Sequence, residues 1–196
     1  MFEKVFNPFK YVAGMRSLIL GLAFILATSI LGYFSQTYFP DVISVKIGAD
    51  RSFFNSIIQN FLNWFVVSTL FYLASIILSK SKIRIIDIFG TQALARFPYL
   101  FMALTGFSES MDAFGNHLLW KYLQSGEPVE ISMIQKVMAI SLMFVSALLT
   151  VWMVILMYNA FKVSANLKGP KLIWAFITVM ILSMVILSNI SKYLIF

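Results

Sequence analysis

The sequence contains no cysteine. No disulfide framework, thiolate zinc site or cysteine nucleophile can therefore be built from it. It has a single histidine, His117. A histidine-rich metal centre within one chain is excluded, and a Ser-His-Asp arrangement would have only that residue to use. Serine and tyrosine are abundant, but nothing pairs them with a base. There is no glycine-rich phosphate loop and no His-Glu zinc helix. Charge is scarce too: only 12% of the residues are charged, and Asp and Glu number 8 against 15 Lys and Arg. A soluble domain needs more polar surface than this to cover its core.

What the chain has instead is apolar length. Of its 196 residues 60% are hydrophobic, and the mean hydropathy is +0.88. Four charge-free runs, residues 17–40, 52–79, 137–161 and 172–191, are each long enough for a membrane helix. A fifth stretch, residues 88–108, joins charge-free pieces of 8 and 12 residues around Arg96. At about 1.5 Å per residue it reaches roughly 31 Å, the thickness of the hydrocarbon core. The expected fold is all-α: one integral membrane domain over residues 1–196, a polytopic bundle of five transmembrane helices. The spans are placed at about 17–38, 54–79, 88–108, 134–159 and 172–194, after a short amphipathic segment at 1–16.

That first segment is not expected to be a cleaved signal peptide. The run after it has no small-residue cleavage site and exceeds a signal's apolar core. Asn7-Pro8 has the form of a helix N-cap followed by proline at the first helical position. It predicts either a short interfacial helix from about Pro8 or a basic flank that only sets orientation. Tyr33-Phe34 and Tyr38-Phe39 read as an aromatic interface at the end of the first span. Ser17, Gly21, Thr28 and Gly32 make one small-residue face where another helix could approach closely. Residues 113–126 read as an amphipathic interfacial helix. Leu118, Leu119, Tyr122 and Leu123 lie on one side, Trp120 is the anchor and Gly126 the C-cap. Gly169-Pro170 predicts a hard turn before the last span.

The net charge of +7 has a topological explanation that needs no nucleic acid. The N-terminus and the loops at 80–87 and 162–171 together hold nine basic residues, Lys4, Lys10, Arg16, Lys80, Lys82, Arg84, Lys162, Lys168 and Lys171, against Glu3 and Asp87. The alternate segments hold Lys46, Arg51, Lys121, Lys136 and Lys192 with six acids, Asp41, Asp50, Glu109, Asp112, Glu127 and Glu130. The basic group is expected in the cytoplasm, which places the N-terminus inside and the C-terminus outside. Anionic lipid head groups are the expected partners of the basic side.

Arg96 is the sharpest candidate for function. A charge inside a span costs about 2.5–3.5 kcal/mol on insertion scales. No carboxylate lies within any of the five runs to pair with it. The inside-to-outside direction of this span puts Arg96 in the cytoplasmic half, within reach of Tyr72, Ser75, Tyr158, Asn159 or backbone carbonyls. Pro98 removes one helical hydrogen bond and clashes with the carbonyl of Leu94, loosening that turn. Either Arg96 snorkels to the cytoplasmic interface and fixes the helix depth, or it makes a head-group or anion site at a kinked, partly hydrated helix. Asn55, Gln59, Asn60 and Asn63 form an amide cluster on a neighbouring span. Amides this deep face protein or water, bonding across helices or lining a polar route. His117 with Glu109 and Asp112 reads as a solvated loop rather than a metal or proton site. The methionines of the fourth run read as adaptable packing.

The order of NPFKYVAGMRS before the first span, DIFGTQALARFPYL in the third and YNAFKVSANLKGPK between the fourth and fifth resembles the Yip1 family of five-span membrane proteins, in its bacterial branch. The resemblance implies a cytoplasmic N-terminus, five helices, and self- or hetero-association within a membrane, here the bacterial cytoplasmic membrane. Eukaryotic members act in vesicle trafficking with small GTPases. The first span here starts at about Ser17, without the long cytoplasmic region those members carry, and this puts GTPase binding in doubt. The expected function is therefore non-enzymatic, with no cofactor: a Yip1-like protein that works through association with membrane proteins or lipids. The alternative is a small-solute or lipid transporter or channel subunit.

Overall fold

The computed structural model describes residues 5–48, 52–125 and 130–193. Glu3, Lys4, Asp50, Arg51, Gly126 and Glu127 lie outside these residues. Among the described residues seven α-helices follow one another: α1 (Gly14–Phe34), α2 (Phe53–Leu78), α3 (Ile85–Leu94), α4 (Pro98–Thr105), α5 (Glu109–Leu123), α6 (Met133–Ser164) and α7 (Pro170–Tyr193). The described sheet is a single pair of two-residue strands, β1 (Thr37–Tyr38) and β2 (Lys46–Ile47), which closes the loop between α1 and α2. α1, α2, α6 and α7 are long and apolar enough to cross a membrane. Their outward faces carry large exposed apolar side chains such as Ile19, Ile77, Phe144 and Trp174. This is the surface of a helical membrane bundle.

The fifth expected span is two short helices. Pro98 has no N–H to give to Leu94, and the carbonyl of Leu94 accepts instead from Phe97 at 3.2 Å. Arg96 N bonds Ala93 O in the same tighter i to i+3 pattern. The turn at 95–97 thus keeps its bonds while breaking the α-helix. Both halves still pack against the same two neighbours, α1 and α6.

α1 packs tightly on α3, and glycine makes it possible. A Cβ on Gly21 would lie 2.4 Å from the amide nitrogen of Leu94. One on Gly90 would lie 2.6 Å from the Ser17 hydroxyl and 2.8 Å from the Gly14 carbonyl. The expected small-residue face of the first span, Ser17, Gly21, Thr28 and Gly32, is buried throughout. Phe71 of α2, Phe161 of α6 and Phe176 of α7 meet in the core: the Phe161 ring is tilted against Phe71 at 4.5 Å between centroids, and the Phe176 ring is stacked on it at 5.6 Å. Met153 and Met157 are fully buried with them.

The three basic segments gather at one end of the bundle. Asn166 donates to the Ser81 hydroxyl at 3.0 Å, and Asn159 to the carbonyl of Phe6 at 2.9 Å. The expected N-terminal helix is only a 3-10 turn, Pro8–Lys10. The Asn7 side chain does not cap it, and Phe9 is instead driven into the core, 1% exposed. Asn159→Ala removes one partly exposed bond, so its cost is expected below about 1 kcal/mol. Hydrogen exchange should nevertheless quicken locally at residues 5–10.

At the opposite end, Tyr33 and Phe34 are exposed as an interface pair should be, whereas Tyr38 and Phe39 are buried. The first span ends at Phe34, and the chain then turns back into the bundle: Thr37, Tyr38, Phe39, Asp41 and Val42 are all buried. The expected helix at 113–126 begins earlier, at Glu109, and ends at Leu123. Its C-cap is Gln124, in the left-handed conformation at φ 50°. Leu119, Tyr122 and Leu123 are exposed, as an interfacial helix requires.

Candidate functional site

The polar residues singled out from separate spans meet around the buried loop at 39–42. Gln59, Asn60 and Asn63 lie within two turns of α2 and are all buried, facing α1 and the loop. Gln59 Nε2 donates to the carbonyl of Pro40 at 2.8 Å, and to Asn63 Oδ1 at 3.1 Å. Asn63 Nδ2 donates to the carbonyls of Phe39 at 2.6 Å and Asp41 at 3.1 Å. Tyr99 supplies its hydroxyl to the carbonyl of Val42, and its ring stacks on Phe39 at 4.1 Å. Asp41 fixes the far side of the turn, accepting from the amides of Ile43 and Ser44 at 2.8 and 2.9 Å. Loop carbonyls are costly in an apolar interior unless they are bonded. Four successive ones are bonded here by three side chains.

Arg96 lies under this array, 3% exposed. Its Nη2 donates to the backbone carbonyl of Asn63 at 2.8 Å, and its guanidinium carbon is 5.9 Å from the centre of the Tyr99 ring. Tyr99 follows Arg96 by three residues, which puts both side chains on one face. Of the expectations for this residue, one is overturned and one is met in part. Arg96 does not snorkel to an interface, because the break at 95–97 places it midway along the α3–α4 segment with helices on either side. Of the partners expected within its reach, Tyr72, Ser75, Tyr158, Asn159 or backbone carbonyls, it is a backbone carbonyl that receives it. Its acceptor is a carbonyl of α2 near the loop that enters from the other end, and Asn159 is spent on Phe6. Pro98 is buried and acts by breaking the helix. Asn55 is half-buried at the start of α2, outside the loop array.

Arg96 has no ion-pair partner among the described residues. A buried charge without one gives little stability, and replacing it by an apolar side chain of similar size is often neutral or favourable. Arg96→Met is therefore expected to unfold no earlier than wild type. A thermal melt of the purified protein checks this.

Tyr99, Gln92 and the hydroxyl of Thr28 are not among the residues expected from the sequence, yet all three are buried in the bundle. Gln92 is fully buried on α3 and donates to the carbonyl of Met157 at 3.1 Å. A search of each span for polar residues three or four positions from Arg96 finds both Gln92 and Tyr99.

A second feature lies at the same end as the loop. A cleft of about 620 Å³ opens between the strand pair, α5 and α6, lined by residues including Ile47, Asp112, Phe114, Leu118 and Met143. Burial raises the Asp112 carboxyl above its ordinary value. The folded chain thus holds that proton more tightly than the unfolded chain does. The resulting stability is complete below the unfolded-state value and is lost as pH rises through the raised one. Asp112→Asn should remove that part of the fall in stability with rising pH, read as the difference between two melting-versus-pH curves. His117 sits on the same helix with its ring 6.0 Å from Trp120. Among the described residues no three His, Asp or Glu side chains come together as a metal site would need.

The chain matches no family model, no curated protein and no solved structure.

Proposed function

We propose that this is a non-enzymatic, Yip1-like integral membrane protein that acts by associating with other membrane proteins or lipids. In this reading α3 and α4 together make a fifth crossing. The end that carries the basic segments faces the cytoplasm and anionic head groups, in a bacterial cytoplasmic membrane, and the C-terminus lies outside. The observation that carries the proposal is how the interior polar groups are used. Gln59, Asn63 and Tyr99 are committed to the protein's own loop carbonyls, and Arg96 to the carbonyl of Asn63. That is the wiring of a scaffold. The space beside Arg96 is of single-water size, about 10 Å³, which favours the scaffold over a transport route through these residues.

Quantitative crosslinking in native membranes tests the association. Specific homo- or hetero-crosslinks through the apolar outer faces are expected; a solitary monomer without bound lipid would contradict the reading. Single cysteines placed in the cysteine-free chain at Lys82 and Lys121 test the sidedness. Only the Lys121→Cys form should react with an impermeant reagent added from outside.

A further inference from the structure

A groove of about 580 Å³ runs down the outside of the bundle between α2 and α7. Exposed apolar side chains make its walls, Leu73 and Ile77 from α2 and Trp174 and Leu182 from α7. Its floor is smaller or buried residues, Ala74, Ala175 and Val179. Beyond Lys171 and the Trp174 indole, the hydroxyl of Thr28's counterpart on this face, Thr178, is the one polar side chain that lines it. The groove follows α7 from Pro170 to Leu182. At about 1.5 Å per residue that is roughly 18 Å, close to the depth of one leaflet in a hydrocarbon core of about 30 Å.

The mouth of the groove is basic. Lys171 lines it. The bond from Asn166 to Ser81 at 3.0 Å ties the 162–171 segment to the end of α2. Lys80, Lys82 and Lys168 are exposed and lie within two residues of that bond in the sequence. Among the described residues Asp87 is the one carboxylate at this end, and Arg84 stands 3.8 Å from it. No other described acid is left there for the four lysines. The helix dipoles do not change this account, because α7 begins where α2 ends and the two terminal fields oppose each other. Trp174 is 69% exposed, one turn into the groove from Lys171. An indole there has its apolar body in the furrow and its N–H at head-group level.

These features select the occupant. A partner's transmembrane helix would use the furrow but has no need of four lysines at its mouth. An anionic phospholipid uses both. We propose that the groove seats one anionic phospholipid of the leaflet at the basic end, with an acyl chain between α2 and α7 and its phosphate at Lys171 and the neighbouring lysines. This rests on the reading that the protein associates with lipids through its basic end, and it names the lipid class and its seat.

The test is Trp174 fluorescence of the full chain in symmetric phosphatidylcholine nanodiscs holding one chain each. Bromine on an acyl chain quenches an indole that it touches. The emission of Trp174, taken as the difference between wild type and Trp174→Phe, should be quenched at a lower fraction of brominated phosphatidylglycerol than of brominated phosphatidylcholine. Lys171→Gln should cut that preference about five-fold, the worth of one basic side chain near an anionic surface. Thr178→Phe fills the furrow from an exposed position and should abolish the preference. Should that variant not fold, Lys171→Gln, a change at an exposed side chain, still decides. Equal quenching by the two lipids, an unchanged preference in Lys171→Gln, or a preference that survives Thr178→Phe would each overturn the proposal. So would a disulfide between two Thr178→Cys chains in native membranes, which would put a second copy in the groove. One chain in a symmetric disc reports on neither sidedness nor protein association, so a negative result here leaves the crosslinking test of association standing.

Discussion

Gly21→Leu is expected to prevent the chain from forming its native bundle. The Cβ alone would stand 2.4 Å from Leu94 N and 2.5 Å from the Ala93 carbonyl carbon. These are main-chain atoms of a helix, so no side chain can swing aside. Overpacking usually costs about 1–3 kcal/mol where neighbours can yield, and here α1 and α3 would have to separate along their whole contact. The loss should exceed about 3 kcal/mol, enough to remove much of a membrane bundle's margin. Even Gly21→Ala should lower the melting midpoint sharply. Gly115→Ala is the control: a Cβ there meets nothing within 4 Å. It should leave the midpoint unchanged or raise it, because alanine favours the helix by about 1 kcal/mol over glycine.

The second large effect is expected from Asn63→Ala. That amide donates to two loop carbonyls and accepts from Gln59. Truncation leaves the carbonyls of Phe39 and Asp41 buried without these donors. An unsatisfied buried group costs about 1–3 kcal/mol, so the pair should cost about 2–6 kcal/mol. Gln59→Ala strips one carbonyl, that of Pro40, and should cost about half as much. The loop would then relieve its carbonyls by moving toward water. Unfolding midpoints give the energies, and hydrogen exchange at residues 39–44 shows whether the loop has left the bundle.

Composition and run length made the helical membrane fold legible, because membrane helices announce themselves by uninterrupted apolar length. The small-residue face on α1 was legible for a similar reason: Gly21 and its neighbours recur at helical spacing. A loosened turn at Pro98 followed from proline's missing donor, but its extent, a division of the segment into two helices, did not. Nor did the depth of Arg96. Snorkelling is a property of an isolated helix, and whether neighbouring helices block the route to the interface depends on packing. The buried loop was hidden as well. Tyr38-Phe39 has the composition of an interfacial belt, and nothing local distinguishes an aromatic pair that floats at head groups from one that tucks under Tyr99. The amides of α2 were recognised as costly and in need of partners. That their partners would be loop carbonyls, and that Arg96 would join them, is long-range geometry that a single sequence does not carry.

The interior polar residues hold a loop inside the bundle. Val42 reports on it, being fully buried with its carbonyl bonded to Tyr99. Because the chain has no cysteine, Val42→Cys provides a single clean probe for a membrane-impermeant maleimide. In the otherwise wild-type protein this cysteine is expected to stay unreactive in intact bundles, and to react once Asn63→Ala releases the loop. Rapid labelling of Val42→Cys with Asn63 in place would mean that the loop lies open to water, and would contradict the account.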